Sequence, residues 1–242
     1  MKRLTLLLAA AIVALASCTK EKHPVTFTIG GYDLGLFPTK GMSEAISTTL
    51  PQSIELTLTH KTTGKSYSVL TGEEINLPLG AYHVEGCNSP AATKNIYGIM
   101  LTLTHEPKII VSEDVNVVEG EKSYTLTAAY GSAALVTLAS ETSSWKGMFG
   151  NAEAEIPTLS YGDYRWTFIT GDFTSHPFPT TLTPANGGAV RTITIVGSKE
   201  SFGSVSNGLV AYPGRWYVLH PSDEETQSGG FSLNFPEWTL GN

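Results

Sequence analysis

Cysteine is scarce in this chain: 242 residues hold only Cys18 and Cys87. The fold therefore cannot lean on disulfides and has to be held by its cores, which is feasible once a domain reaches about 100 residues. Long hydrophobic runs are also missing. The stretch Leu4 to Leu15 has twelve residues, short of the ~20 that a membrane-spanning helix needs. Charged residues make up 15% of the chain, and acidic ones outnumber basic ones by 22 to 15. That balance argues against nucleic acid as a partner. After Arg3 there is no arginine until Arg165. No convincing amphipathic helix is present; Ser43 to Ser47 and Ser140 to Gly147 could each make a turn or two. A phosphate-binding loop, a dinucleotide fingerprint and a Gly-x-Ser-x-Gly elbow are all absent.

What the chain has in abundance is alternation. Val25, Phe27 and Ile29 alternate with Thr26 and Thr28, and Ile54, Leu56 and Leu58 with Glu55, Thr57 and Thr59. The same period of two runs through Glu74 to Leu79, Tyr124 to Ala128, Ile193 to Ile195 and Phe231 to Phe235. A period of two marks strands with one buried face. Thr63-Gly64-Lys65, Leu79-Gly80-Ala81, Glu119-Gly120-Glu121 and Asn186-Gly187-Gly188 supply turn chemistry between them. Many short strands with frequent turns predict an all-β chain of antiparallel sandwiches.

Two stretches echo each other. Gly80-Ala81-Tyr82-His83-Val84 and Gly214-Arg215-Trp216-Tyr217-Val218 both read Gly, any residue, aromatic, any residue, Val. With each copy well inside its half, the chain is expected to form two related domains, residues 25–131 and 132–242, meeting near Gly131.

The N-terminus carries its own signature. Lys2 and Arg3 precede the apolar run, which reads as a secretory signal. The following Leu15-Ala16-Ser17-Cys18 resembles the lipobox of bacterial lipoproteins. That resemblance implies that residues 1–17 are a signal peptide and that Cys18 is lipidated and becomes the new N-terminus. Removal of residues 1–17 takes two basic residues and no acidic one, leaving 225 residues with a net charge of −9. Residues 18–24 would form a polar tether. The Ser17-to-Glu21 stretch also looks like the start of many Bacteroidota lipoproteins. The implied location is the outer membrane, at the cell surface, with the periplasmic face as the alternative.

Leu77-Pro78-Leu79-Gly80-Ala81-Tyr82-His83-Val84 is similar to the LPxGxYxV strand–turn–strand of fimbrillin-like surface lipoproteins. Val115 to Lys122 is similar to the VxVxxGxx turn that follows it in that family. The resemblance covers about residues 25 to 138. It implies tandem transthyretin-like or immunoglobulin-like β-sandwiches, adhesion or fimbria-like assembly, and no catalytic residues. It also implies other surface or fimbrial proteins as partners, joined by strand addition. Stalk subunits of that group mature by cleavage after an arginine near the N-terminus. With no arginine between Arg3 and Arg165, that cut is impossible here, which favours an anchor or accessory role.

Little else in the sequence suggests chemistry. The six histidines, at 23, 60, 83, 105, 176 and 220, form no close metal-ligand pair. His83 and Cys87 could share a strand face, as a Cys–His nucleophile would require, but no oxyanion turn accompanies them. The acidic pairs Glu73-Glu74, Glu113-Asp114 and Asp223-Glu224-Glu225 read as turn residues. No cofactor and no metal site is expected, and the chain is not expected to be an enzyme. The alternative function is glycan binding by aromatics of the second domain, namely Tyr161, Tyr164, Trp166 and Trp216. Against it stands a core role, because Tyr164, Trp166 and Phe168 alternate. The proline-rich stretch Asp172 to Pro184 could project as a recognition tip.

Overall fold

The computed structural model describes residues 22–30, 51, 53–96, 101–171, 177–196, 208–221 and the backbone of 231–234. The described residues contain strands and turns and no helix. In chain order the strands are β1 (Lys22–Gly30), β2 (Glu55–His60), β3 (Ser66–Leu70), β4 (Glu74–Pro78), β5 (Gly80–Cys87), β6 (Ala92–Ile96) and β7 (Leu101–Thr104). Then come β8 (Ile109–Val117), β9 (Ser123–Tyr130), β10 (Ser132–Leu138), β11 (Thr142–Phe149), β12 (Ala152–Glu155) and β13 (Leu159–Tyr161). The last are β14 (Tyr164–Gly171), β15 (Phe178–Pro184), β16 (Arg191–Val196), β17 (Gly208–Val210), β18 (Trp216–Pro221) and β19 (Phe231–Asn234).

Two compact units result. The first contains described residues 22–30, 53–86 and 111–127. Its sheet runs β3-β2-β5-β8-β9-β1-β4. Strands β3 and β4 lie at opposite ends of that order, yet only Thr71, Gly72 and Glu73 join them. Seven flat strands would span about 29 Å at ~4.8 Å per step, and the link reaches roughly half of that. The sheet must therefore curl until its two ends meet. The link records the meeting: the Thr71 N–H donates to the Ile54 carbonyl, and the Gly72 N–H to the Phe27 carbonyl of β1 at 2.8 Å. Inside the curl lie Val25, Phe27, Leu56, Leu58, Leu77, Tyr82, Val84 and Val111, each at most 1% exposed. The alternation of β2, with every second residue buried, puts its apolar set on this inner face.

The second unit is a sandwich of two sheets. One runs β19-β18-β10-β14-β7-β6, with β13 also paired to β14; the other runs β12-β11-β15-β16-β17. Leu103, Leu135, Ile169 and Leu219 of the first sheet share one core with Trp145, Phe178, Leu182 and Ile195 of the second. The opposite face of the first sheet is buried as well, around Val136, Trp166, Phe168 and Trp216. Accordingly β10 is buried at six successive positions and does not alternate, as expected of a strand covered on both faces.

Three expectations from the sequence are corrected. The division near Gly131 is not a cut in the chain, because residues 87–110 belong to the second unit. Strands β6 and β7 enter its sheet through pairing of Leu101 to Thr104 with Phe168 to Gly171. The tether over 18–24 is shorter than predicted: β1 already begins at Lys22, which pairs opposite Pro78. Ser140 to Gly147 holds no helical turn, since it feeds directly into β11, where the Trp145 indole N–H donates to the Thr180 hydroxyl. Ser43 to Ser47 lies outside the described residues.

Candidate functional site

The N-terminal strand is the first candidate, because the sequence makes its attachment decisive. Alternation turns Val25 and Phe27 inward, where both are fully buried. Residues Lys22 to Thr26 pair antiparallel with β4. From Thr26 to Gly30 the strand instead pairs parallel with Ser123 to Thr127 of β9. Phe27 stacks on Tyr124 with ring centroids 5.5 Å apart. Strand β1 is thus bonded along its whole length and wedged into the core by two side chains. Cys18, the predicted lipidation site, lies outside the described residues.

The motif around Gly80 builds the next turn. Gly80 has φ +142°, and a Cβ there would lie 2.6 Å from Nε2 of His60. The His60 ring is buried, its Nδ1 accepts the N–H groups of Thr62 and Thr63, and Tyr82 meets it edge-on at 4.9 Å. The Tyr82 hydroxyl donates to the Pro78 carbonyl at 2.8 Å, four residues upstream. Burial pushes that phenol up to about 12. The glycine and the tyrosine of the motif therefore clasp a corner. In the echoed stretch the clasp is different: the Tyr212 N–H donates to the hydroxyl of Tyr217 at 3.0 Å, while Trp216 faces the other side of its sheet.

The four aromatics proposed for a glycan do not form a stacking platform. Trp166 and Trp216 are buried, 2% and 8% exposed, in the core cluster around Val136. Tyr164 is half-buried against the same cluster. Only Tyr161 is well exposed. The polar residues between them are committed to the fold. The Asp163 carboxylate accepts the Ser140 N–H at 2.7 Å and the Ser140 hydroxyl, and Arg165 donates to the Thr142 carbonyl. The stretch Asp172 to Pro184 is not a projecting tip over its second part, where Phe178 to Pro184 form β15 with every second residue buried. Residues 172–176 lie outside the described residues.

His83 and Cys87 do not make a catalytic pair. Both ring nitrogens of His83 are engaged, Nδ1 with Asp114 at 2.9 Å and Nε2 with Glu85 at 3.1 Å. Lys61 donates to the other oxygen of Asp114. Bonding to Asp114, and then to Glu85, holds the His83 pKa above its ordinary value; bonding to Lys61, and then to His83, holds Asp114 below its own. The stabilisation from His83 is complete below the ordinary histidine value and fades as pH rises through the raised one. That from Asp114 is complete above the ordinary carboxylate value and fades as pH falls through the lowered one. The cluster is therefore fully formed between about pH 4 and 6.5. Replacing Asp114 by Asn is expected to lower the His83 titration, followed by NMR, toward its ordinary value, with Glu85 still holding it somewhat above, and to reduce any melting-temperature change between pH 6 and 8. An unmoved His83 titration would refute the assignment.

Of the acidic pairs, Glu113 accepts the Thr127 N–H at 2.6 Å and Glu74 sits opposite Thr26 in the sheet. Asp223 to Glu225 lie outside the described residues. Among the described residues no group of three or more His, Cys, Asp and Glu could hold a metal ion. One feature escaped the sequence reading altogether. A cavity of about 400 Å³ opens in the second unit, between the turn after β5, the β6–β7 hairpin and the end of β14. Its lining comes from four separated segments, none with a motif of its own.

No protein-family model and no curated protein matches the chain. Among solved structures it is similar to a candidate cell-adhesion protein of Bacteroides fragilis, with a TM-score of 0.41 and 10% identity over 91% of this chain and 99% of that one. It is similar to a C-terminally truncated tip fimbrial protein of Porphyromonas gingivalis, with a TM-score of 0.42 and 8% identity over 77% and 94%. A fimbrial anchor protein of the same organism gives 0.32 and 11% over 88% and 94%. At these values the likeness transfers no residue's role, and function has to be argued from the chain's own residues.

Proposed function

We propose that the chain is a non-enzymatic, lipid-anchored protein of the outer membrane surface that serves adhesion or fimbria-like assembly as an anchor or accessory component. The observation that carries this reading is the seat of β1. A subunit that receives a neighbour's strand must leave a gap in its own sheet. Here the first strand fills its place, with Val25 and Phe27 buried and both halves paired. The absence of arginine from Leu4 to Tyr164 removes the cleavage that would free it. Three residues, Thr19 to Glu21, separate the lipidated position from the start of β1 at Lys22. Such a tether reaches no more than about 14 Å, so the first unit would sit close to the bilayer, as suits a base. The glycan reading through Tyr161, Tyr164, Trp166 and Trp216 loses support, because two of its four rings are in the core.

Cys18→Ala tests the anchor. Each buried CH₂ of an acyl chain contributes about 0.8 kcal/mol, and two chains give durable attachment. The variant is expected to move almost entirely from the membrane to the soluble fraction. Cross-linking on intact cells should then give a discrete partner, or a ladder of multiples, with the wild-type chain and neither with the variant. A monomer with no protein partner at the surface of wild-type cells would refute the assembly role.

A further inference from the structure

The cavity of the second unit has a lining unlike the rest of the molecule. The described residues around it include Ser89, Asn95, Thr102, Thr104 and Lys108, with Cys87 at its edge, and among the described lining residues there is no carboxylate and no aromatic ring. In a chain with a net charge of −7, a recess whose one charged group among the described lining residues is a cation stands apart.

Its walls are held by the fold. The Asn88 side chain is used at both ends, accepting the Ile109 N–H at 2.6 Å and donating to the Pro107 carbonyl at 2.9 Å. The Thr104 hydroxyl donates to the Glu106 carbonyl at 2.7 Å. The main chain of Lys108 is pinned on both sides: its N–H donates to the Ser132 hydroxyl at 3.1 Å, and its carbonyl accepts the Gly131 N–H at 2.7 Å. Among the described ion pairs, none involves the Lys108 ammonium. A half-buried cation without a counter-charge among the described residues, beside amide and hydroxyl groups, suits a small anion that also offers hydroxyls.

We propose that this cavity binds a carboxylate-bearing saccharide unit of the uronic or sialic acid class, with the carboxylate on Lys108 and sugar hydroxyls on Ser89, Asn95 and Thr102. A volume of about 400 Å³ admits one such unit. The site differs from the aromatic stretch of the same unit and does not depend on the anchor role.

The test is calorimetric titration of the full-length chain in detergent with galacturonate and N-acetylneuraminate, against glucose and acetate. At least one acidic sugar is expected to bind about tenfold or more tightly than glucose or acetate, and to weaken with added salt. Lys108→Gln should weaken it by about 10- to 100-fold, the range for loss of a charge-assisted hydrogen bond. Asn95 is exposed, so Asn95→Asp leaves the fold intact while setting a carboxylate beside the ligand's own. It should abolish acidic-sugar binding with an unchanged melting temperature. Equal binding of acidic and neutral sugars, indifference to both substitutions, or no binding of either acid would overturn the proposal. None of these results would touch the membrane and partner tests of the anchor role.

Discussion

Gly80→Ala is expected to destabilise the first unit by about 2–6 kcal/mol, through two separable effects. At φ +142° an L-residue is strained, at a cost of order 1–3 kcal/mol. The new methyl would also meet the His60 ring at 2.6 Å, and overpacking of this kind costs roughly 1–3 kcal/mol. The ring cannot simply swing away, because Nδ1 is held by two backbone N–H groups and one face by Tyr82. Thermal melting should show a drop of at least about 10 °C. In the double variant Gly80→Ala/His60→Ser the clash is gone and the strain remains. A double-mutant cycle should therefore show a coupling of about 1 kcal/mol or more. Strict additivity would mean that the imidazole is not what Gly80 accommodates.

Phe27→Ala is expected to cost about 3–5 kcal/mol, the usual range for emptying a fully buried phenylalanine site. Phe27 is 0% exposed and stacks on Tyr124, and its carbonyl accepts the Gly72 N–H where the curled sheet closes. The urea midpoint should fall steeply, and β1 should become the first site of protease cleavage. Thr28→Ala, one residue on and exposed, should change stability by no more than about 0.5 kcal/mol. Comparable effects at both positions would mean that β1 is not wedged by its inward side chains.

Local features of the fold were legible in the sequence, and long-range ones were not. The alternations at Val25 to Ile29, Ile54 to Thr59 and Tyr124 to Ala128 all lie in or against strands, because one buried face writes its period directly into the residues. Strand β11 carries no period of its own. Thr142-Ser143-Ser144-Trp145-Lys146-Gly147 offers one large apolar residue in six, and its identity as a strand comes from pairing with β15. The transfer of β6 and β7 to the second unit left no local mark, since Leu101 to Thr104 would alternate equally well in either sheet. Trp166 and Trp216 looked like a ligand platform because aromatic faces serve cores and sugars alike. Pairing of Ala134 with both Phe168 and Trp216 decides for the core, and that pairing joins segments from three parts of the chain.

The central claim is that β1 stays in its own sheet while the chain works as an anchor. Thr28 of β1 and Thr125 of β9 are register partners and both exposed, at a spacing that neighbouring strands and disulfides share. The most direct measurement is the cross-linking assay on intact cells with Thr28→Cys and Thr125→Cys in a Cys87→Ser background, oxidised and then reduced. The account predicts the same partner complex in both states, because a locked first strand gives up nothing the protein uses. A complex lost on oxidation and regained on reduction would show that β1 leaves its sheet to assemble, and would contradict the account.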